Sequence, residues 1–246
     1  MTTAHTSRWR HGRTSTCAIL LIAIAALTSG CQRLQGERDG DTYYAPAAAY
    51  AVDLSINTFR GKVTLEERCD AHSGSTTFWD GSGRMFRIDY HRAESNPNFD
   101  TPRFASDLTL MNLVLNHYLR DKIAPTAMIT SVEAAHREFL QDATPRSLFA
   151  IVGLDVDPSR QPEAGAVGGR HYYGFLLFKQ GEMIYVVQHR QPVLMPEKMK
   201  SVLLHLAEAM AIPGRERSAS EMERLRRLLA RMAPGVRGPE RLCSPD

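Results

Sequence analysis

Four polar side chains near the ends of two apolar segments are the residues of this chain best placed to bind a ligand. The segments are "HYYGFLLF" and "MIYVVQH", and only the tetrapeptide "KQGE" separates them. A hairpin turn centred on Gln180-Gly181 would place His189 opposite Tyr172, with His171 and Arg190 as the neighbouring pair. These four side chains can line a pocket. The structural alternative is a histidine with satisfied hydrogen bonds at the margin of a sheet.

Two further patterns carry possible chemistry, and each has a structural alternative. The stretch "GAVGGR" (165–170) has the glycines of a phosphate-binding loop, but such a loop needs a helix after it, and an apolar strand pattern follows here. We therefore interpret it as a flexible hairpin connection. Asp155 and Asp157 alternate onto one face where an apolar segment ends. Two carboxylates there can bind a divalent cation, or they mark where a strand leaves the core.

The sequence selects no catalytic residue, no metal site and no cofactor. It contains no Gly-x-Ser-x-Gly and no Ser-x-x-Lys motif. Its histidines and cysteines show neither His-x₃-His nor Cys-x₂-Cys spacing, so metal binding has no support from ligand spacing. We therefore predict a protein without metal or cofactor.

The first 30 residues have the organisation of an export signal. Arg8, Arg10 and Arg13 form a positive segment, and the apolar run "CAILLIAIAAL" follows it. A membrane-spanning helix needs about 20 apolar residues to cross ~30 Å of hydrocarbon, so this run is too short to span a bilayer. The pattern therefore predicts a cleaved signal peptide.

The run ends in "LTSGC", and its last four residues resemble the lipobox of bacterial lipoproteins. The resemblance implies that Cys31 receives a diacylglyceryl group and that Gly30 is the last residue removed, although Thr28 stands where the family usually has leucine. Gln32, which is not aspartate, resembles the default for sorting to the outer membrane. The implied location is the periplasmic side of a bacterial cell membrane, the outer membrane favoured over the inner. An ordinary secretory peptide, or a retained N-terminal anchor, is the alternative.

The distribution of charge agrees with this division. The chain has 30 Lys and Arg against 27 Asp and Glu, and residues 1–30 carry all three net positive charges. The rest is formally neutral, so the basic pI is not the footprint of a nucleic-acid-binding protein. We predict no nucleic-acid partner and one domain of ordinary size.

Cys69 and Cys243 are the cysteines that follow the lipobox. An exported chain meets an oxidising compartment, where a pair of thiols can form a disulfide. We predict a bond between these two cysteines. A reactive thiol activated by a neighbouring base is the alternative.

The elements that must position the four ligand-facing candidates are strands. Residues 50–56 alternate apolar and polar, Asp80-Gly81 indicates a hairpin, and residues 147–156 are almost continuously apolar. The hairpin that carries the four candidates is apolar on both faces, so both faces must be covered. Its predicted faces are Phe175, Leu177, Ile184 and Val186 on one side, and Leu176 and Tyr185 on the other.

Helix patterns supply the predicted cover. Ser106 can cap a helix that ends near Pro125, a second helix follows Pro196, and residues 218–232 have an apolar stripe flanked by arginines. That third helix can dock on its own domain or lie on an anionic membrane surface. Residues 127–142 are compatible with either a short helix or a strand.

These elements predict an α+β fold, a largely antiparallel sheet covered by helices on both faces in an α/β/α sandwich. The order of elements resembles the layered sandwich of the photosystem II extrinsic protein and Ran-binding nuclear protein group. The predicted division is a signal peptide (1–30), a lipidated cysteine and flexible polar tether (31–46), the sandwich domain (47–212), and an amphipathic helix with an irregular tail (213–246).

The sequence thus favours a lipid-anchored protein of a bacterial envelope that acts as a non-enzymatic binding or assembly module. The anchor makes the membrane one partner, and an envelope protein is a possible second one. The alternative function is an envelope hydrolase or transferase whose active site carries no known motif.

Overall fold

The computed structural model describes residues 36–46, 49–70, 72–93, 106–123, 125–160 and 168–215. These residues form eleven strands in two sheets and two α-helices. The smaller sheet has four antiparallel strands, in the order β1 (Glu37–Asp39), β2 (Thr42–Tyr44), β3 (Ala51–Asp53) and β11 (Met210–Ala211).

The larger sheet has seven strands, and every neighbouring pair is antiparallel. Its order is β4 (Thr64–Cys69), β5 (Ser73–Trp79), β6 (Met85–Arg92), β10 (Met183–Gln191), β9 (Gly169–Gln180), β8 (Ser147–Val156) and β7 (Ile129–Leu140). The outermost strand β7 has twelve residues, and its register with β8 shifts twice, between Ile129 and Ser131 and between Ala134 and His136.

The helices begin where the sequence provides start signals. Helix α1 (Asp107–His117) is capped by Ser106, whose Oγ accepts a hydrogen bond from the backbone N–H of Thr109 at 3.2 Å. It continues as a π-helix over Tyr118–Ile123. Helix α2 (Pro196–Ala209) starts with proline, whose fixed φ suits the first helical position.

Both faces of the seven-stranded sheet are buried at its centre. One face, here called the α2 face, packs against α2 and the four-stranded sheet, and its core includes Leu176 and Tyr185. The other, the α1 face, packs against α1 and includes Phe175 and Val186. The prediction that the central hairpin is covered on both sides, with these residues divided between the faces in this way, is confirmed.

The predicted α/β/α sandwich is wrong, because the described chain is mostly β. Seven strands at about 4.8 Å spacing make a sheet about 29 Å wide, whereas a helix with its side chains is only about 10–12 Å across. One helix therefore covers only the middle of each face. The four-stranded sheet covers much of the rest of the α2 face. The fold that the resemblance to the layered sandwich group implied is therefore not the fold observed.

The predicted flexible tether is also wrong over the part that the structure describes. Residues 37–44 form β1 and β2, and Tyr43 is only 1% exposed in the core of the α2 face. Its hydroxyl lies 2.9 Å from Oγ1 of Thr76. The strands have three residues each, which is too short for an alternating pattern to be visible in the sequence.

The central hairpin has a different register from the predicted one. Its turn is Gly181-Glu182, with Gln180 paired to Met183 and Gly181 at φ 58°, a conformation that favours glycine. Leu176 therefore lies opposite Val187 instead of Tyr185. The shift is two residues, and side chains alternate with period two, so every residue keeps its predicted face.

Two predicted features lie outside the described residues, the signal peptide and the helix at 218–232. Most of residues 127–142, which the sequence left between helix and strand, belong to strand β7. In the described ranges, neither helix is long and apolar enough to cross a bilayer.

Candidate ligand-binding cavity

A cavity of about 670 Å³ lies on the α1 face, where the sheet changes from apolar to polar. Antiparallel pairing aligns polar side chains of neighbouring strands in rows across its floor. One row contains Glu66, Thr77, Arg87 and Gln188, and the next contains Arg68, Ser75 and Asp89. Helix α1 packs mainly on β8 and β9, beside this polar part of the face.

An ion pair between a buried carboxylate and a partly exposed guanidinium forms the centre of the floor. Arg87 Nε lies 2.9 and 3.0 Å from the two carboxylate oxygens of Asp89, and its Nη2 lies 2.8 Å from Oδ1. The amide of Gln188 donates a further hydrogen bond to Asp89. Asp89 is only 1% exposed, and burial raises the pKa of its carboxyl, while the Arg87 guanidinium acts against this rise.

Tyr118 and His91 connect this floor to the cover. Nε2 of His91 lies 2.8 Å from the Tyr118 hydroxyl, which belongs to the first turn of the π-helix. Burial lowers the pKa of His91 to about 3, so the imidazole is neutral at physiological pH. Burial and the nearby Asp89 carboxylate raise the pKa of Tyr118. The two groups therefore act as neutral hydrogen-bonding partners.

The remaining lining differs from one end of the cavity to the other. The side near β7 and β8 is apolar, with Met128, Ile129, Leu154 and Val156, whereas the side near β4 and β5 carries hydroxyl and charged groups. Trp79 and Met85, neighbours across β5 and β6, line the cavity next to the row of Thr77 and Arg87.

Two basic side chains at the cavity have no ion pair or hydrogen bond with any described residue. Lys122 reaches it from the π-helix, and Arg190 from the end of β10. The three carboxylates of the lining all have partners: Glu66 pairs with Arg68, Asp89 with Arg87, and Asp70 accepts from Ser73. With histidine counted as neutral, the described residues of the lining carry one net positive charge.

The structure separates the four predicted ligand-facing residues into two pairs. His171 and Arg190 line the cavity on the α1 face. His189 lies on the α2 face, where its ring stacks on Phe86 at 4.4 Å and its Nδ1 lies 2.9 Å from the Met85 carbonyl oxygen. Tyr172 lies on that face as well.

The predicted cross-strand pairing of these four residues is wrong as well, because the register differs by two residues. Arg190 lies opposite Tyr173, and His189 lies opposite Gly174. His189 is instead a structural histidine whose ring nitrogen is hydrogen-bonded, as the alternative interpretation predicted. The guanidinium of Arg170 lies 5.8 Å from the ring centre of Tyr172. Side chains on opposite faces of one sheet cannot line one pocket.

The possible cation site at the end of β8 is not formed. Asp155 pairs with Arg170 and Ser131, whereas Asp157 accepts hydrogen bonds from the backbone and hydroxyl of Ser159 in the following 3₁₀ turn. No group of three or more potential ligands is placed to hold a metal ion in the described part of the chain. The glycine-rich stretch runs into strand β9, as expected for a hairpin connection.

Cys69 ends β4 at the border of the cavity and is disulfide-bonded. Its partner lies outside the described residues, as do Cys31 and Cys243. The bond between Cys69 and Cys243 and the lipidation of Cys31 therefore stay predictions.

The residues of the floor were present in the sequence as a pattern without an assigned role. In "MFRIDYHR", Arg87, Asp89 and His91 alternate with three buried apolar residues. Gln188 ends the apolar run of strand β10. Charged side chains are normally found where water can solvate them, such as at the edge of a sheet. Their presence on a central strand whose opposite face is buried is therefore a signal of a binding site.

Comparison with known proteins adds no family. No family model matches the chain, and no curated protein does. A solved structure of a protein from Bacteroides thetaiotaomicron VPI-5482 aligns with 74% of this chain and 50% of that one, at 10% sequence identity and a TM-score of 0.38. This chain thus spans half the length of that protein, and a similarity of this size carries no argument about function.

Proposed function

We propose that this protein is a lipid-anchored, non-enzymatic binding module of a bacterial envelope, and that the cavity on the α1 face holds its small-molecule ligand. The anchor rests on the resemblance of "TSGC" to a lipobox. The binding site rests on one structural observation, which is the cavity itself with its ordered polar floor and with two basic side chains that form no ion pair with a described residue.

The dimensions and the lining of the cavity support a ligand site. Sites for small molecules occupy about 300–1,000 Å³ and combine apolar walls with a few fixed polar groups. The volume here is about 670 Å³. Arg87 and Gln188 are held by their bonds to Asp89, so the floor needs little reordering when a ligand arrives.

The same groups favour binding over the alternative of hydrolysis or group transfer. A buried carboxyl with a raised pKa is a property that catalytic acids share, and Asp89 has it. However, both of its oxygens already accept hydrogen bonds from Arg87 and Gln188. His91 is neutral and in contact with Tyr118, so these groups hold each other in place.

Ligand retention by the exported protein tests the proposal. Ser75 is a half-buried floor residue on β5, so Ser75→Trp fills the cavity without entering the core of the other face. The parent and this variant would be purified from envelopes in the same way, and their small molecules extracted and compared by mass spectrometry. Ser55→Trp, at an exposed turn, is the matched control.

We expect a compound that the parent and Ser55→Trp retain and that Ser75→Trp loses, with all three proteins melting at similar temperatures. The same set of small molecules in all three folded proteins would refute the cavity as the binding site.

A further inference from the structure

The cavity is asymmetric along the direction that crosses the strands. It runs from β4 to β8, five steps of about 4.8 Å, so its lining extends over about 24 Å. At the β4 and β5 end the side chains carry charges and hydroxyl groups. At the β7 and β8 end they are Met128, Ile129, Leu154 and Val156.

The apolar end selects the kind of group that can lie there. None of those four side chains provides a strong donor or acceptor, so a polar group placed among them would lose its hydrogen bonds to water without replacement. An alkyl chain has no such groups, and its burial is favourable at about 0.8 kcal/mol per methylene. An extended peptide, with a polar group at every residue, fits this end less well.

The basic side chains of the lining favour a negatively charged group. Lys122 belongs to the π-helix and Arg190 to β10, and neither forms an ion pair or a hydrogen bond with a described residue, although the charge of Lys122 also acts on Asp89. Every carboxylate of the lining is already paired or hydrogen-bonded, so the site has cationic groups to offer and no anionic group in excess. An oxyanion that reaches both cations gains hydrogen bonds that are stronger than those between neutral groups.

We propose that the cavity binds an amphiphilic oxyanion, a carboxylate or phosphate that carries a single alkyl chain. The oxyanion lies between Lys122 and Arg190, and the chain runs toward Leu154 and Val156. The inference rests on the proposed binding function and adds the chemical class of the ligand. A fatty acid and a lipid phosphate share this chemistry.

Trp79 provides a direct signal for the test. The chain has two tryptophans, Trp9 in the signal-peptide region and Trp79 in the wall of the cavity. In an exported chain with Trp9→Phe, tryptophan fluorescence reports on the cavity alone. The probes are octanoate, monooctyl phosphate, the neutral octanamide, and acetate, which has the charge but not the chain.

We expect octanoate or monooctyl phosphate to change Trp79 fluorescence with an affinity about ten-fold or more above that of octanamide, and acetate to cause no change. The anion that binds more tightly identifies the source. Lys122→Met and Arg190→Met should each weaken binding of the anion about ten-fold and leave octanamide binding unaltered. Arg190→Lys should retain most of the affinity. Lys198→Met, an exposed lysine on α2 away from the lining, is the control.

A failure of the oxyanion inference can be distinguished from a failure of the proposed binding function. Equal affinity for octanoate and octanamide would overturn the oxyanion inference and leave the binding function supported. No binding of any probe, with a retained compound that Ser75→Trp loses, would overturn the inference alone. No binding of any probe and no such compound would overturn both proposals.

Discussion

The two faces of the central hairpin can be tested separately by truncating one side chain on each. Leu176 points into the α2 face and Phe175 into the α1 face, and both are 0% exposed. We expect Leu176→Ala and Phe175→Ala each to lower the free energy of unfolding by about 2–5 kcal/mol.

The magnitude follows from burial. Leu176→Ala removes three carbon groups, worth about 2.4 kcal/mol at about 0.8 kcal/mol each, and the space left behind adds a cavity contribution. Phe175 is larger, and Tyr118 packs against its ring, with the ring centres 6.5 Å apart. Its truncation should lie in the upper half of the range.

Equilibrium urea unfolding of the exported, disulfide-bonded protein measures these losses, because a change of midpoint at constant slope reports a change of stability. The matched control is Leu194→Ala, a loop residue that is 38% exposed, which should cost less than about 1.5 kcal/mol because little cavity forms. Parent-like unfolding of Leu176→Ala would mean that the α2 face is not covered. The same result for Phe175→Ala would mean that α1 does not cover its face.

Three further predictions concern covalent chemistry and pH. Cys31→Ser should abolish incorporation of labelled fatty acid into the exported chain, and equal labelling of mutant and parent would refute the lipoprotein interpretation. Mass spectrometry without reduction should find Cys69 linked to Cys243, a loop of about 175 residues worth roughly 4–5 kcal/mol in the chain-entropy model, whereas a different partner for Cys69 would contradict the pairing. Hydrogen bonds from Ser82, Arg84 and a neighbouring backbone N–H hold the pKa of Asp80 at about 2. Because this folded-state pKa is depressed, its stabilisation, about 2 kcal/mol, is complete above pH 5 and lost as pH falls toward 2. Asp80→Asn should therefore be less stable at neutral pH and should lack this pH dependence, and an identical acid profile for both proteins would contradict the assignment.

The sequence predicts elements well where a single local cause decides them. Ser106 caps α1, Pro196 begins α2, and Asp80-Gly81 turns the β5–β6 hairpin, because each effect acts over a few neighbouring residues. The faces of the central hairpin were also predictable, since alternation depends only on the parity of a residue number.

The site was predictable only in part, because it depends on register and on distant pairings. Period-two alternation cannot distinguish registers that differ by two residues, and this error placed His189 opposite Tyr172. The floor joins β4, β5 and β6 to β10, and this last pairing brings Gln188 beside Arg87 across about a hundred residues of chain. No local pattern specifies such a neighbour. Of the four-stranded sheet only β3 was predicted, within residues 50–56, and β1, β2 and β11 were missed because they are two or three residues long.

The irregular register of β7 affects whether copies of this protein can pair along that strand. A long outer strand offers backbone N–H and C=O groups on which a second chain can assemble. On β7 the two register shifts disturb their regular spacing, and Glu133, Arg137 and Glu138 add charge along the strand. A protein concentrated on a membrane surface by a lipid anchor meets its neighbours often. This edge therefore disfavours strand-by-strand assembly of copies, a property that would matter most if the proposed lipid anchor concentrates the protein on a bilayer.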